Sequence, residues 1–530
     1  MKSSRFVFLL HSWLGLKFFL VLTVVTLSGT LAVFQEEIDW LVYPQIRVTP
    51  GPERIGFDRI LASVREAVPD GGIVGQVPLQ GAGPRSAIGV VTVTRATGVR
   101  RVWVDPYRGV VQGTTPLMTP GYFLAQLHAY LLIPVWGYAI VCTFAFFLLA
   151  SIITGLMTYK KFWRGFFRRP RSRSVRTLMG DLHRLGGLWS LWFLVVMVVT
   201  GLWYFWTFVG EPLLDFPEAV RHENPPMLTA AELDRLGPRP PAMLPVDALA
   251  EKVRQTLPDF DIRFVALPSS HEAPVTFNGN QGELFAPNLA AVHVNPFSGS
   301  IVGRELTRDG RGFAYVDVLA DAFHFGNFGG TASKVVWFLF GLIMTGLSTT
   351  GLVIFSRRAL RRSETSHSPP RRGWSVLKPW GGAMGLLKPL NLVVLAFAVY
   401  ASVMAIRFYG GGAAAFPARF ESQAIGPWRL GAVAISNLGD LSNPIRPGGR
   451  VTFVAEYCAG CWADIKRLWV SIGEVPPSTP TTRVVGQPGY SIASLRLPKP
   501  IEATTHLWMT AEAWDGERYH TSWPLHPAAR

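Results

Sequence analysis

Long apolar runs decide the fold class of this chain before any motif does. The 530 residues are 49% apolar, and the apolar residues gather at about 6–34, 122–159, 183–209, 333–356 and 385–407. A run of about 18 or more such residues is long enough to cross the hydrocarbon core of a bilayer as a helix. The expected fold class is therefore a membrane α-helical protein with five spans. The second and fourth spans are expected to begin near 120 and 318, with His128 and His324 in their first turns.

The helices repeat. His11 stands in LHSWLG and His183 in LHRLGG, and a glycine follows each by 18 residues, Gly29 and Gly201. His128 stands in QLHAY and His324 in AFHFG, and a glycine follows each by 27 residues, Gly155 and Gly351. This is an internal duplication that keeps a histidine at each equivalent point. Ionisable groups are costly in a bilayer, so an intramembrane histidine is a functional candidate by default. The bland alternative for any one of them is a hydrogen-bonded packing residue. Four at repeat-equivalent depths point instead to axial ligation of haem iron.

A net charge of +16 raises nucleic acid as a partner, but its distribution argues against it. Eight basic residues and no acid lie between Lys160 and Arg176, and eight more lie between Arg357 and Lys388 against the single acid Glu364. Both clusters abut helix ends, as short cytoplasmic loops do, and such loops also meet the anionic heads of membrane lipids. With both loops inside, the N-terminus is expected in the cytoplasm, and the segments 35–120, 210–317 and the tail outside the membrane. Helix 1 is too long for the core of a signal peptide and is expected to be retained.

The outward segments repeat as well. DRILASVREAVPD from Asp58 matches DALAEKVRQTLPD from Asp247, each opening on Asp as an expected N-cap and stopping at Pro-Asp. Downstream, VDPYRGVVQG from Val104 matches VNPFSGSIVG from Val294, a strand, a turn and a second short strand. Each segment is thus expected to be one helix on a small antiparallel sheet. These domains resemble PepSY domains, and roughly 1–360 resembles the PepSY-associated transmembrane helix family of bacterial inner-membrane proteins. LHRLGGLW from Leu182 and HFGNFGG from His324 carry the likeness. The resemblance implies a role in iron uptake, and for some members a di-haem reductase of ferric siderophores.

The expected order is helix 1 (1–40), a first PepSY-like domain (41–119), helix 2 (120–161), a basic loop (162–180), helix 3 (181–209), a second PepSY-like domain (210–317) and helix 4 (318–357). A polar, Pro-rich linker (358–384), helix 5 (385–409) and a β-rich external domain (410–530) follow. In this last domain RVTFVAEY, RLWVSIGE, SIASLRL and THLWMTAEAW alternate with turn residues, the pattern of a small β-sandwich.

Helices 1 and 3 run outward, so His11 and His183 share the cytoplasmic level; helices 2 and 4 run inward, so His128 and His324 share the external level. Two imidazoles on one iron at each level make two six-coordinate b haems, a wire whose irons would lie roughly 15–20 Å apart. Gly15 and Gly187 lie one turn after His11 and His183, and Gly29 and Gly201 five turns after, on the same expected face. They leave room for a macrocycle or for close helix packing. Pro134 is an expected kink in helix 2. Zinc is the rival metal, but it would want more ligands than these helices offer. No C-x-x-C-H occurs, which excludes covalent c-type attachment.

Weaker signals remain open. Cys458 and Cys461 in CAGC are read as a local disulfide, with a redox pair or a metal site as alternatives. Cys142 is read as a small apolar residue within helix 2. Met509, His506, His520 and His526 are near enough in sequence to suggest copper, without a spacing that enforces it. Asp321 is expected to cap helix 4, with a water-mediated haem propionate contact as the alternative. No nucleotide-binding fingerprint is present, so the electron donor is expected to be a quinol or a cytoplasmic reductase. The function expected is one-electron reduction of a ferric siderophore or other ferric chelate outside the membrane. The alternative is a non-enzymatic accessory whose PepSY-like domains engage partners while the helices anchor them.

Overall fold

The computed structural model describes residues 2–364 and 418–525, with 396, 399, 400 and 403 between them, less 70–71, 74, 80–82, 95–97, 134–135, 160, 215–224, 238–241, 283–289, 307–312, 436–446, 459, 480 and 488–489. Most of the expected fifth span and most of the linker before it, the Pro134 kink and His526 therefore lie outside the described residues.

Both repeats build their membrane part from broken helices. The first has α1 (Lys2–Lys17), α2 (Phe19–Ala32) and α3 (Gln35–Val42) before its domain. After the domain come α5 (Pro120–Tyr130) and α6 (Gly137–Thr158), α4 being the helix of the domain itself (Phe57–Ala67). The second has α7 (Val175–Trp189), α8 (Leu191–Phe205), a π-helical turn to Gly210 and α9 (Glu211–Leu214). The short α10 (Ala230–Asp234) and the domain helix α11 (Val246–Thr256) lead to α12 (Phe313–Phe325) and α13 (Gly330–Glu364). Three of these are long and apolar enough to cross a membrane: Gly137–Thr158, Leu191–Gly210 and Gly330–Phe355. Taking α1 and α2 as one span bent by 62° makes a fourth.

The breaks correct the expected picture of uninterrupted spans. Phe18 and Ser190 each lie seven residues after a histidine, and each has left the helical region, with ψ of 7° and 4°. His128 and His324 are not in the first turns of the long helices. They sit in the last turns of the separate helices α5 and α12. Gly326, at φ +64°, ends α12 in the left-handed conformation that favours glycine, and a Cβ there would run into Trp337. At the end of α5 that conformation falls to Leu131 and Leu132, at φ +49° and +56°, which is strained for a side chain of that size. Burying Leu131 among Val21, Val25 and Phe144 offsets the strain. In the bundle the repeats interlock: α2 packs on α5 and α13, α8 on α12 and α6.

Beside the bundle, the two small domains share one core. The first sheet contains β1 (Gly72–Ile73), β3 (Ile88–Thr94), β4 (Gly98–Val104) and β5 (Val111–Pro116), in the order β1-β3-β4-β5. The second contains β6 (Asp261–Ala266), β7 (Val275–Asn280), β8 (Ala290–Val294) and β9 (Ile301–Glu305). Its edge is completed by β2 (Gln76–Pro78), a strand of the first domain that pairs antiparallel with β6. Phe57, Ile60 and Leu61 of α4 and Leu249 and Val253 of α11 bury their faces in a single apolar cluster with Val90, Val102, Phe277 and Val292. The matched turns are alike atom for atom. Asp105 Oδ1 accepts from the amides of Tyr107 and Arg108, Asn295 Oδ1 from those of Phe297 and Ser298. Gly109 and Gly299 follow at φ +69° and +72°.

The expected N-caps are exchanged. Asp58 does not cap α4: its carboxylate accepts from the amides of Val246 and Asp247 at 2.9 Å, the start of α11. Asp247 accepts in return from the amides of Phe57 and Asp58, at 2.8 and 3.0 Å, the start of α4. Each helix dipole is met by the other domain's carboxylate.

The tail is a sandwich of two antiparallel sheets. One holds β10 (Ala418–Ile425), β11 (Trp428–Ile435), β12 (Arg450–Tyr457), β15 (Val485–Gln487) and β16 (Tyr490–Arg496). The other holds β13 (Ile465–Gly473), β14 (Thr482–Arg483), β17 (His506–Ala513) and β18 (Arg518–Pro524). Cys458 and Cys461 are joined in a disulfide just before the single turn α14 (Cys461–Asp464). Next to it the sandwich docks on the second small domain. His271 stacks on Trp462 at 4.2 Å, and the buried carboxylate of Glu272 is held by Arg467 and Arg483.

Candidate functional site: two histidine pairs in the bundle

The four histidines meet in the pairs expected from the duplication. The ring centroids of His11 and His183 are 6.2 Å apart, and those of His128 and His324 5.9 Å. The first pair lies toward the basic-loop ends of α6 and α13, beside Gly155 and Gly351. The second lies toward the small domains, beside Gly29 and Thr200. Helix contacts give the separation of the levels. On α6, Ala145 touches Gly201 and Gly155 faces His11; on α13, Gly341 touches Thr30 and Gly351 faces His183. Ten residues separate the marks on each helix, a rise of about 15 Å.

The small residues serve a different partner from the one expected. Because α1 and α2 are set at 62° across Phe18, Gly29 does not continue the face of His11; Gly201, beyond the break at Ser190, meets Ala145 of α6, the close helix packing expected as an alternative. Gly29 instead makes room for His128, where a Cβ would come within 2.6 Å of the ring. A Cβ on Gly155 would sit tightly against His11 at 3.3 Å, and one on Gly351 in ordinary contact with His183 at 3.6 Å. Each histidine therefore sits against a glycine, or the residue before one, on a neighbouring helix.

Threonines orient the rings. His11 Nδ1 lies 3.1 Å from Thr154 Oγ1, His183 Nδ1 2.9 Å from Thr350 Oγ1, and His324 Nδ1 2.9 Å from Thr200 Oγ1. Each hydroxyl already donates to a carbonyl of its own helix: Thr154 to Ala150, Thr350 to Gly346, Thr200 to Val196. Its oxygen is thus left as an acceptor, and the ring must donate from Nδ1. His128 Nδ1 reaches the Val25 carbonyl at 2.8 Å, with the same consequence. A ring that donates from Nδ1 keeps its lone pair on Nε2, the form that binds a metal, and each of the four Nδ1 atoms has an oxygen beside it that can accept. The histidines were legible in the sequence; the threonines were missed. Their signal was there: Thr154-Gly155, Thr200-Gly201 and Thr350-Gly351 are a repeated dipeptide, with Ser28-Gly29 as the fourth member.

A family model described as "PepSY-associated TM region" matches residues 8–358, which carry both small domains and all four histidines. The chain belongs to the PepSY-associated TM region family. It is a membrane protein of that family with a β-rich tail, and the tail, over residues 387–526, matches a second family model whose description is that of an uncharacterised conserved protein. An uncharacterised protein of Pseudomonas aeruginosa is 32% identical to this PepSY-associated chain over 119 residues, 22% of this chain. The match spans 29% of that relative's length.

The remaining candidates are placed as follows. Asp321 does not cap a helix: it lies within α12 and accepts from the Tyr204 hydroxyl at 2.7 Å. Its neighbour Asp317 accepts from Trp203 Nε1, also at 2.7 Å. Cys142 is buried in α6. The suggested copper set is not assembled, because Met509 is wholly buried while the next residue, Thr510, carries His520 on the opposite face of the sheet. Among the described residues, no group of three or more His, Cys, Asp or Glu is gathered for a metal ion.

Proposed function

We propose that the chain holds two b haems, one on His11 and His183 and one on His128 and His324, and reduces a ferric chelate on the side of the small domains. The observation that carries this is the pairing: four intramembrane imidazoles in two facing pairs, each with Nδ1 beside an oxygen of a neighbouring helix, an arrangement that would leave Nε2 to a metal. The spacing fits. Two imidazoles on one metal, with bonds of about 2.0–2.1 Å, hold their centroids roughly 6 Å apart, against 6.2 and 5.9 Å here. Among the described residues neither pair belongs to a group of three or more His, Cys, Asp or Glu, so each pair would hold a haem iron between two imidazoles and falls short of the four ligands that zinc would want. Gly15, one turn after His11, has open space where a Cβ would stand, and Gly187 meets only Leu347 at 4.0 Å.

When bound, haem supplies a reversible one-electron carrier. The chain's part is to fix the ligands, to keep the two levels about 15 Å apart and to wall both off from water within the bundle. The charge of the basic loops supports a reading with the His11 level toward the cytoplasmic face of a bacterial inner membrane and the small domains outside it. With haem bound, the His11 and His183 level would take electrons from a quinol or a cytoplasmic reductase, and the His128 and His324 level would be their exit. A ferric siderophore or other ferric chelate meeting that exit gains one electron, and iron(II) is held far more weakly. The test is the absorption spectrum of the purified protein, followed by reoxidation of its reduced form with ferric siderophore and capture of iron(II) by a chromogenic chelator. Two haem equivalents and chelate-dependent reoxidation are expected. A colourless protein from haem-replete cells overturns the assignment in favour of a non-enzymatic accessory.

A further inference from the structure

The loop between α6 and α7 closes on a cleft of about 250 Å³ that the electron path does not use. Arg168, Arg169, Arg171 and Arg184 line it with a single carboxylate, Asp181. Four guanidiniums less one carboxylate leave +3. Asp181 is buried and fully engaged: it accepts from the Arg171 amide at 3.0 Å, from Arg171 Nε and Nη2 at 2.9 and 3.1 Å, and from Arg184 Nη2. This carboxylate fixes two of the arginines as the walls of the cleft. Arg184 also lies over the Tyr159 ring, 5.7 Å from its centroid. Among the described residues, Arg168 and Arg169 enter no ion pair, so the positive charge of the mouth is unbalanced.

The surroundings say which anion. α7 lends the cleft Leu185 and Leu188 beside Asp181 and the guanidinium of Arg184, so the charged mouth has an apolar part to its wall. The cleft stands where the span Gly137–Thr158 ends. Beside it Trp163, Phe166 and Phe167 project from the loop, Phe167 with 91% of its side chain exposed, as aromatic side chains do at the level of lipid headgroups. Trp189 Nε1 donates to the Phe166 carbonyl at 2.9 Å and ties this aromatic segment to α7. An arginine mouth over a leucine wall at the membrane boundary matches an amphiphile with a phosphate head. Free phosphate would use the mouth alone. We propose that this cleft is a binding site for the phosphate headgroup of an anionic phospholipid, with Arg168 and Arg169 as the groups that bind it. The site stands whatever His183 holds.

The test is native mass spectrometry of the full-length protein in detergent, titrated with phosphatidylglycerol or phosphatidylcholine of the same chains. Phosphatidylglycerol is expected to bind preferentially. A surface arginine contributes roughly fivefold to such binding, so the paired substitution R168Q/R169Q should weaken it about twenty-five-fold. The control is R173Q/R176Q, which removes the same charge from Arg173 of the loop and Arg176 in the first turn of α7, both outside the cleft, and should change binding less than about twofold. Both pairs of side chains are exposed, and an unchanged melting midpoint will show that the fold is kept. Equal losses from the two variants would mean diffuse loop charge and would overturn the site. So would equal binding of the two lipids. Full displacement of phosphatidylglycerol by millimolar inorganic phosphate would reassign the cleft to a free anion.

Discussion

The two halves of the duplication hold their histidines to one end by unequal means. In the second half both rings lean on threonines, His183 on Thr350 and His324 on Thr200. In the first half His11 leans on Thr154, but the position matching Thr200 is Ser28. The Ser28 hydroxyl turns back on its own helix, donating to the Val24 carbonyl at 2.6 Å, and His128 reaches the Val25 carbonyl directly. What the repeats share is thus an acceptor at Nδ1, not the residue that supplies it, and such an acceptor would orient a ring that ligates a metal.

Removing the ligands tests the comparison most severely. His11→Ala or His183→Ala should take away one of two haem equivalents and leave the other, and His128→Ala or His324→Ala the reverse, read by pyridine haemochrome content and redox titration. The variants should differ in consequence: loss of the His128 level should end chelate reduction, and loss of the His11 level should block electron entry. Loss of both haems from any one substitution would mean that the two levels are not independent sites.

Next in size are the orienting hydroxyls. Thr154→Val or Thr350→Val keeps the shape and removes the acceptor of Nδ1–H, so haem affinity at that level should fall about 10–100-fold, as for other groups that hold a metal ligand in place. Ser28→Ala should change the His128 level less than the threonine substitutions change theirs, because the Ser28 hydroxyl bonds the Val24 and Val25 carbonyls of its own helix rather than the ring. A comparable loss from Ser28→Ala would break the distinction drawn between the halves.

The exchanged caps offer a smaller effect on the two small domains. Asp58→Ala should destabilise α11 rather than α4, and Asp247→Ala should destabilise α4, each by about 0.5–2 kcal/mol. Hydrogen exchange resolved by helix separates this from ordinary capping, in which each substitution would loosen its own helix.

How much of this was legible follows one physical line. The duplication put the histidines in pairs because a repeat is visible along the chain, and apolar runs are visible in composition. The bends at Phe18 and Ser190 were not, since neither position carries the Pro or Gly that announces a kink. With them went the partners of Gly29 and Gly201. Thr154, Thr200 and Thr350 read as ordinary fillers of apolar helices until a histidine from another helix arrives beside them. The reciprocal caps of Asp58 and Asp247 had the same obstacle, because an N-cap signal names a helix start and not which helix supplies the amides. The sandwich was legible from RVTFVAEY, SIASLRL and THLWMTAEAW. The short strands β14 and β15 are held by their neighbours and carried no pattern of their own.

The docking of the tail gives the last contrast, since it bears on the second small domain. His271 is enclosed between Trp462 and Trp514, with Glu272, Lys466, Arg467 and Arg483 around it. Burial pushes its pKa down to about 4. An unfolded or undocked His271 would titrate near 6.5. Between these values the loosened state binds the more protons, so stability of the docked form should be full above about pH 6.5 and decline as the pH falls toward 4. The decline should appear as faster hydrogen exchange around β6 and β13, the strands nearest His271, before it appears in β3 and β4 of the first domain. His271→Phe keeps the ring stack and removes the titrating group, and should flatten the profile in that window. A profile unchanged by the substitution would place the acid sensitivity elsewhere, on the carboxylates of Glu272 and Glu512 that Arg467 joins.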